Sequence, residues 1–228
     1  MSGFTLTAGW QSPSRHERLG YACTPRNPYP DPSALTDVPA YSNFRGDMSS
    51  VHTRTLLDSA AIAKALERIS RQIVELAGGT EHLALVGIQR RGAELAERIA
   101  KLIAQREGAE VPRGAMDITL YRDDLQTVGP RPIIGETRIP FDVEGLCVVI
   151  VDDVLYTGRT VRAALDQLAD FGRPSRIGLA VLVDRGEREL PIQADIIGES
   201  VNAPGQRVDV LVSEVDGRDA VELVEAVK

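Results

Sequence analysis

The run Cys147-Val148-Val149-Ile150-Val151-Asp152-Asp153-Val154-Leu155-Tyr156-Thr157-Gly158-Arg159-Thr160 decides the fold. Its apolar beginning lacks polar alternation, as expected of a central parallel strand covered on both faces. Two carboxylates then stand at the strand's carboxyl end, the place where open α/β sheets bind their ligands. Beyond them Val161, Ala164, Leu165, Leu168 and Phe171 recur at helical spacing, so the amides of Thr157 to Thr160 face outward at a helix start. Such amides, with the positive end of the helix dipole, favour an anion such as a 5′-phosphate. Asp152 and Asp153 would repel that phosphate unless they take hydroxyls or work through a metal. A ribose diol and a magnesium-bound polyphosphate satisfy both conditions. Paired acids alone are most often solvated loop residues or helix caps; the strand-loop-helix setting argues against that here.

Outward from this block, the pattern alternates strand and helix. Ile62, Leu66, Ile69, Ile73 and Leu76 form one helical stripe, with Asp58 or Ser59 as cap and Gly78-Gly79 as stop. Leu83 to Ile88 reads as a strand, then a loop, then a helix with Leu95, Ile99, Leu102 and Ile103 inward. Met116 to Tyr121 reads as the next strand, Ile177 to Val183 as another, with shorter strands at Ala194 to Ile197 and Val208 to Val212. The fold class is therefore α/β, a central parallel sheet flanked by helices, with a small hood drawn from the C-terminal strands.

Composition changes near Met48. Residues 1–47 hold six of the thirteen prolines and the only tryptophan, Trp10, and show no period of 2 or 3.6. They read as a disordered, Pro-rich extension, leaving residues 48–228 as the working domain. Two alternatives stand beside that reading: Met48 as the natural start, or aromatics such as Trp10 and Tyr29 docking onto a partner. The net charge of −7 argues against broad affinity for nucleic acid, which comes from neutralising phosphates. Cys23 and Cys147 are the only cysteines, so a reduced, cytoplasmic setting fits better than a disulfide scaffold. No apolar run has transmembrane length, and His16, His52 and His82 are too scattered for a structural zinc site.

Gly87-Ile88-Gln89-Arg90-Arg91-Gly92 sits between a strand and a helix, as phosphate loops do. It fits only the start of a Walker A loop, because Ala93 and Glu94 replace the required Lys-Ser/Thr; no dinucleotide fingerprint follows any strand either. Two arginines at a helix start oppose the helix dipole unless an anion lies between. From Tyr121-Arg122-Asp123-Asp124 a long polar stretch runs to Pro140, the length of a covering loop. A cover is chemically apt, since an oxocarbenium-like ribose centre must be kept from water. Asp123 and Asp124 read equally well as solubilising acids.

The strand, the acid pair and the Thr-Gly-x-Thr loop resemble the signature of type I phosphoribosyltransferases, shared with phosphoribosyl pyrophosphate (PRPP) synthetases and with regulators that bind without turnover. Across residues 51 to about 213 the resemblance narrows to the PyrR family of pyrimidine operon regulators and uracil phosphoribosyltransferases. The residues that carry it are Asp117 to Leu125, Val151 to Ala163, Leu182 to Gly186, and Arg188 to Ile192. It implies PRPP binding by Val148 through Thr160 and pyrophosphate binding by Gln89, Arg90, Arg91 and Gly92. Asp152, Asp153 and Arg122 would serve catalysis, and the base would lie beneath the hood near Val183, Asp184 and Arg185. The implied reaction is uracil plus PRPP giving UMP plus pyrophosphate, with Mg2+ carried near Asp152 and Asp153. The implied assembly is a homo-oligomer, and the implied second partner is a pyrimidine-operon mRNA leader hairpin bound with UMP to promote transcription termination.

Three positions depart from the family on the implied RNA face. Glu187, Gln193 and Glu199 stand where basic or histidine residues are expected, and Glu67 lies between Lys64 and Arg68. Arg68, Arg71 and Arg188 remain as cations there. Replacing a phosphate contact with a carboxylate turns attraction into repulsion, so weakened RNA binding is expected beside intact catalysis. The rival readings are a regulator whose catalysis is incidental and a purine phosphoribosyltransferase.

Overall fold

The computed structural model describes residues 53–119 and 136–225. The extension 1–47 and Arg122 lie outside them. The elements run β1 (Thr53–Leu57), α1 (Ser59–Ala77), β2 (Leu83–Ile88), α2 (Arg91–Glu107), β3 (Arg113–Met116), β4 (Cys147–Leu155), α3 (Arg159–Leu168), β5 (Arg176–Asp184), β6 (Ile196–Ser200), β7 (Arg207–Leu211), α4 (Ser213–Asp216) and β8 (Ala220–Val224). Five strands form a parallel sheet in the order β3-β2-β4-β5-β6, and β1, β8 and β7 form a separate antiparallel sheet.

Each helix follows from its sequence. The Asp58 carboxylate accepts the Ala61 amide at 2.8 Å and starts α1, a cap whose loss costs about 1 kcal/mol. Gly78, at φ 73°, ends the helix in the left-handed conformation that glycine adopts without penalty. Ile62, Leu66, Ile69 and Ile73 are buried along the stripe, and Leu95, Ile99 and Ile103 do the same for α2. Both helices share one core with Val149, Val151 and Leu182 on that side of the sheet. Val148, Ile150 and Leu155 join the other core, beneath Val161, Ala164 and Leu168 of α3. The central strand is thus covered on both faces, which explains its unbroken apolar run.

Three sequence expectations need correction. Met116 ends β3 rather than beginning it, because Arg113–Met116 pairs in parallel with Leu85–Ile88. Ile196–Ser200, two residues beyond the expected start, joins the parallel sheet beside β5 rather than the hood. The hood is also not purely C-terminal: β1 pairs with β8, so the first described strand completes it.

Candidate active site

The strand β4 runs past the apolar block and carries both acids within it, ending at Leu155. Asp152 is 4% exposed, and Asp153 is half-buried. The Asp152 carboxylate accepts the Asp153 amide at 2.9 Å, and that of Asp153 accepts the Val154 amide at 2.9 Å. Burial, reinforced by the neighbouring Asp153, pushes the Asp152 carboxyl well above the usual carboxylate range. Deprotonated Asp152 therefore stands to gain strongly from a cation or hydroxyl donor.

Beyond the acids the chain turns through Tyr156, Thr157 and Gly158 into α3. Gly158, at φ 92°, occupies the cap position and brings no side chain to it, while the Arg159 amide makes a long hydrogen bond, 3.4 Å, to the Thr157 hydroxyl within the turn. The segment 186–192 braces this loop from the side. The amides of Glu189 and Leu190 donate to the Thr157 carbonyl at 3.0 and 3.1 Å, and Arg159 pairs with Glu189 at 2.7 Å. Arg188 contributes more: its guanidinium donates to the carbonyls of Tyr156 (2.9 Å), Gly186 (3.1 Å) and Ile192 (2.9 Å) and pairs with Asp184 at 2.7 Å. Arg188 thus holds the start of the turn after β4 in place, with its donors turned inward. The sequence alone points to it only as a cation on the RNA face.

The second loop, residues 89–92, lies against the acid segment through Gly92, and Gly87 of β2 packs closely under its far end. A Cβ on Gly92 would stand 2.6 Å from the Val151 carbonyl oxygen, and one on Gly87 would stand 2.4 Å from Ala93 Cα. Only glycine permits that approach. The Gln89–Arg90 peptide is cis. Arg90 is exposed. Arg91 instead grips Asp216 of α4 in a bidentate pair, Nε to Oδ2 and Nη2 to Oδ1, both at 2.9 Å. Seven residues further along α2, Arg98 donates to Glu214, to both oxygens of Asp219 and to the Ser213 hydroxyl. These arginines hold Glu214, Asp216 and Asp219 below the usual carboxylate range, mainly through their hydrogen bonds. The dipole conflict at the start of α2 is resolved partly by a hood carboxylate, a partner that sequence spacing could not reveal.

At the ends of β5 and β6 a cavity of about 300 Å³ is lined by Asp184, Arg185, Glu187, Ser200, Val201 and Asn202. Of these, sequence reading singled out Asp184 and Arg185 for the base; Ser200, Val201 and Asn202 were missed, because the placement of β6 was off by two residues. Val183, the third residue expected at the base, is buried in the core just before Asp184. Arg185 stacks on the Tyr156 ring at 3.9 Å and pairs with Glu187 at 2.8 Å. Its buried Nε finds no hydrogen-bond partner among the described residues. A second cavity of about 670 Å³, between α2 and Arg138–Phe141, lies away from the acids and is lined by none of them.

The residues singled out for RNA do not form one free basic surface. Arg68 donates to the Gly198 carbonyl, and Arg71 to Glu67 of its own helix at 3.3 Å. Glu187, Gln193 and Glu199 are all exposed. Among the described residues no helix is long and apolar enough to cross a membrane.

Residues 52–210 match the phosphoribosyl transferase domain model. The chain is 61% identical over 171 residues to the "Bifunctional protein PyrR" of Thermus aquaticus, covering 75% of this chain and 94% of that protein. It is 56% identical over 170 residues to the protein of the same name from Deinococcus radiodurans, covering 74% and 93%. Among solved structures, a hypoxanthine phosphoribosyltransferase of Trypanosoma cruzi superposes with a TM-score of 0.58 at 17% identity, covering 76% of this chain and 97% of that one. One from Staphylococcus aureus gives 0.57 at 20% identity, covering 76% and 92%. These two likenesses establish the shared fold.

Proposed function

The chain belongs to the phosphoribosyl transferase family, in its bifunctional PyrR branch, and from that premise we propose that it converts uracil and PRPP to UMP and pyrophosphate. The observation that carries the reading is Asp152: a buried carboxylate, its pKa raised, in the C-terminal half of the central strand that leads into the turn before α3. Such an arrangement costs stability and is explained by a ligand that supplies the missing partners.

On this reading the amides from Gly158 to Thr160 hold the 5′-phosphate, and Asp152 and Asp153 accept from the ribose hydroxyls. Arg90 and the 89–92 loop face the departing pyrophosphate, joined by Arg122. Arg91 reaches it by leaving Asp216. The cavity bounded by Asp184, Arg185, Ser200, Val201 and Asn202 receives uracil. Its N1 forms the new bond to C1′ as the bond from C1′ to the pyrophosphate oxygen breaks, and the N1 proton is lost. The chain's own part is positioning and charge stabilisation rather than covalent chemistry. Asp152 and Asp153 offer hard oxygen donors that fit magnesium. When bound, the ion would neutralise pyrophosphate charge.

The test is UMP formation from uracil and PRPP on the same preparation given hypoxanthine and guanine. Uracil turnover with neither purine used supports the reading; purine turnover alone contradicts it.

The family's regulatory role is the second part of the proposal: with UMP bound, the protein holds a pyrimidine-leader mRNA hairpin. The exposed acids Glu187 and Glu199 and the inward donors of Arg188 predict weaker, flatter salt dependence than a fully basic face would give. The comparison is wild type against Glu187→His/Gln193→Arg/Glu199→Lys, titrated with hairpin and UMP at two salt concentrations. Tighter and steeper binding by the triple variant is expected; no gain over a tight wild type contradicts the expectation.

A further inference from the structure

Gln89 belongs to the loop assigned above to pyrophosphate, yet its polar atoms are directed elsewhere. Its backbone amide donates to the Met116 carbonyl, the last of β3, at 2.8 Å. Its side-chain Nε2 donates to the Glu136 carbonyl at 2.8 Å. One residue thus ties the loop to two chain segments that are twenty positions apart and run side by side. Those segments are also fastened to each other. Ala115 and Arg138 exchange backbone hydrogen bonds at 2.9 and 2.8 Å. The Asp117 amide donates to the Thr137 hydroxyl oxygen at 2.9 Å, and the same oxygen accepts from Nε2 of the buried Gln167 on α3 at 3.0 Å. The Asp117 carboxylate in turn accepts the amide and hydroxyl of Thr119.

The loop is therefore supported from two sides. On the inner side Gly87 and Gly92 let it press against Ala93 and Val151. On the outer side Gln89 reaches across to residue 136 through its side chain. Of its two side-chain N–H donors one is committed to the Glu136 carbonyl, and the amide oxygen can only accept, which leaves a single N–H that a phosphate oxygen could use.

We propose that Gln89 is a positioning residue for phosphoribosyl transfer: its side chain fixes the 89–92 loop to the paired segments 115–117 and 136–138, so that Arg90 and the loop amides are held ready for pyrophosphate. The kinetic part rests on the assignment of this loop to pyrophosphate, and the structural part does not.

The test is Gln89→Met, which keeps the side chain's length and loses its donor, with Gln89→Asn as a second variant that keeps the amide but falls one methylene short. Hydrogen exchange is measured on the ligand-free proteins, alongside steady-state kinetics and inhibition by added pyrophosphate. Exchange at residues 115–117 and 136–138 should accelerate severalfold in both variants while the melting temperature stays within about 2 °C. The KM for PRPP and the inhibition constant for pyrophosphate should rise together by about fivefold, about 1 kcal/mol each, with the KM for uracil unchanged. Unchanged exchange with weakened pyrophosphate binding would make Gln89 a direct ligand and overturn the proposal. Unchanged exchange and kinetics would overturn it as well. Should the wild type form no UMP, the uracil assignment fails, and the exchange comparison still decides whether Gln89 ties these segments.

Discussion

Two acidic clusters lie within this fold, and they are treated in opposite ways. In the hood, Glu214, Asp216 and Asp219 are met by Arg91 and Arg98, and their carboxyls are held below the usual range. In the C-terminal half of β4, Asp152 and Asp153 follow one another, with Asp152 buried and its carboxyl pushed up. The first cluster resembles a fastening, complete in itself. On the proposed function, the second is completed by a ligand. The difference separates acids that hold the fold from acids that we propose hold a ligand, and it lies in partner and burial rather than in residue type.

The strongest way to sharpen the contrast is to neutralise the β4 pair. Asp152→Asn/Asp153→Asn should lower phosphoribosyl transfer at least about tenfold, since that requires only about 1.4 kcal/mol. Full activity of the double variant at saturating magnesium would dissolve the distinction. Next in size is Arg98→Met, which strips Glu214 and Asp219 of their shared partner. A loss of about 2 kcal/mol is expected, because the guanidinium is largely shielded and several charge-assisted bonds vanish together. Thermal melting would read this as a fall of roughly 4–8 °C. An unchanged melting temperature would show the hood fastening to be idle. The smallest effect belongs to removal of residues 1–47, which should leave both melting temperature and uracil transfer nearly unchanged. Precipitation, or melting many degrees lower, would show that the boundary at Met48 is misplaced.

The β4 cluster was legible in the sequence and the hood cluster was not, for a physical reason. Six apolar residues before two acids and a Thr-Gly-Arg-Thr turn describe a buried strand, a ligand end and a helix start without reference to the rest of the chain. The α1 stripe, its Asp58 cap and its Gly78 stop are local in the same sense. By contrast, Arg98 meets Asp219 across 121 residues, and β1 finds β8 from the far end of the described chain. Short edge strands have no period long enough to announce them, and their pairing is decided by what they cover. The shifted β3 has a similar cause: Asp117 and Thr119 imitate strand alternation while their side chains in fact bond to each other. Arg188 looked like a surface cation because the Tyr156 carbonyl it serves becomes its neighbour only once β4 and β5 are paired.

The most direct measurement is the ligand-free melting temperature of Asp152→Asn and Asp216→Asn, each against wild type, from pH 7.5 down to about pH 4. Asp152 has a raised carboxyl in the folded state, so the fold binds its proton more tightly than the unfolded chain does. Its charge therefore costs stability above the ordinary carboxylate range, near pH 4, and the cost disappears as pH falls. Asp216 has a lowered carboxyl, and its contribution is present above that range and lost as pH falls through its folded value. At pH 7.5, Asp152→Asn should melt higher, by about 1 kcal/mol or a few degrees. Asp216→Asn should melt lower by about 1 kcal/mol, kept modest because Arg91 is partly exposed. The Asp152→Asn difference should shrink toward pH 4, whereas the Asp216→Asn difference should persist to about pH 4, since its loss lies below the ordinary carboxylate range. If Asp152→Asn melts lower than wild type at pH 7.5, Asp152 is a structural acid like those of the hood, and the distinction between the two clusters fails.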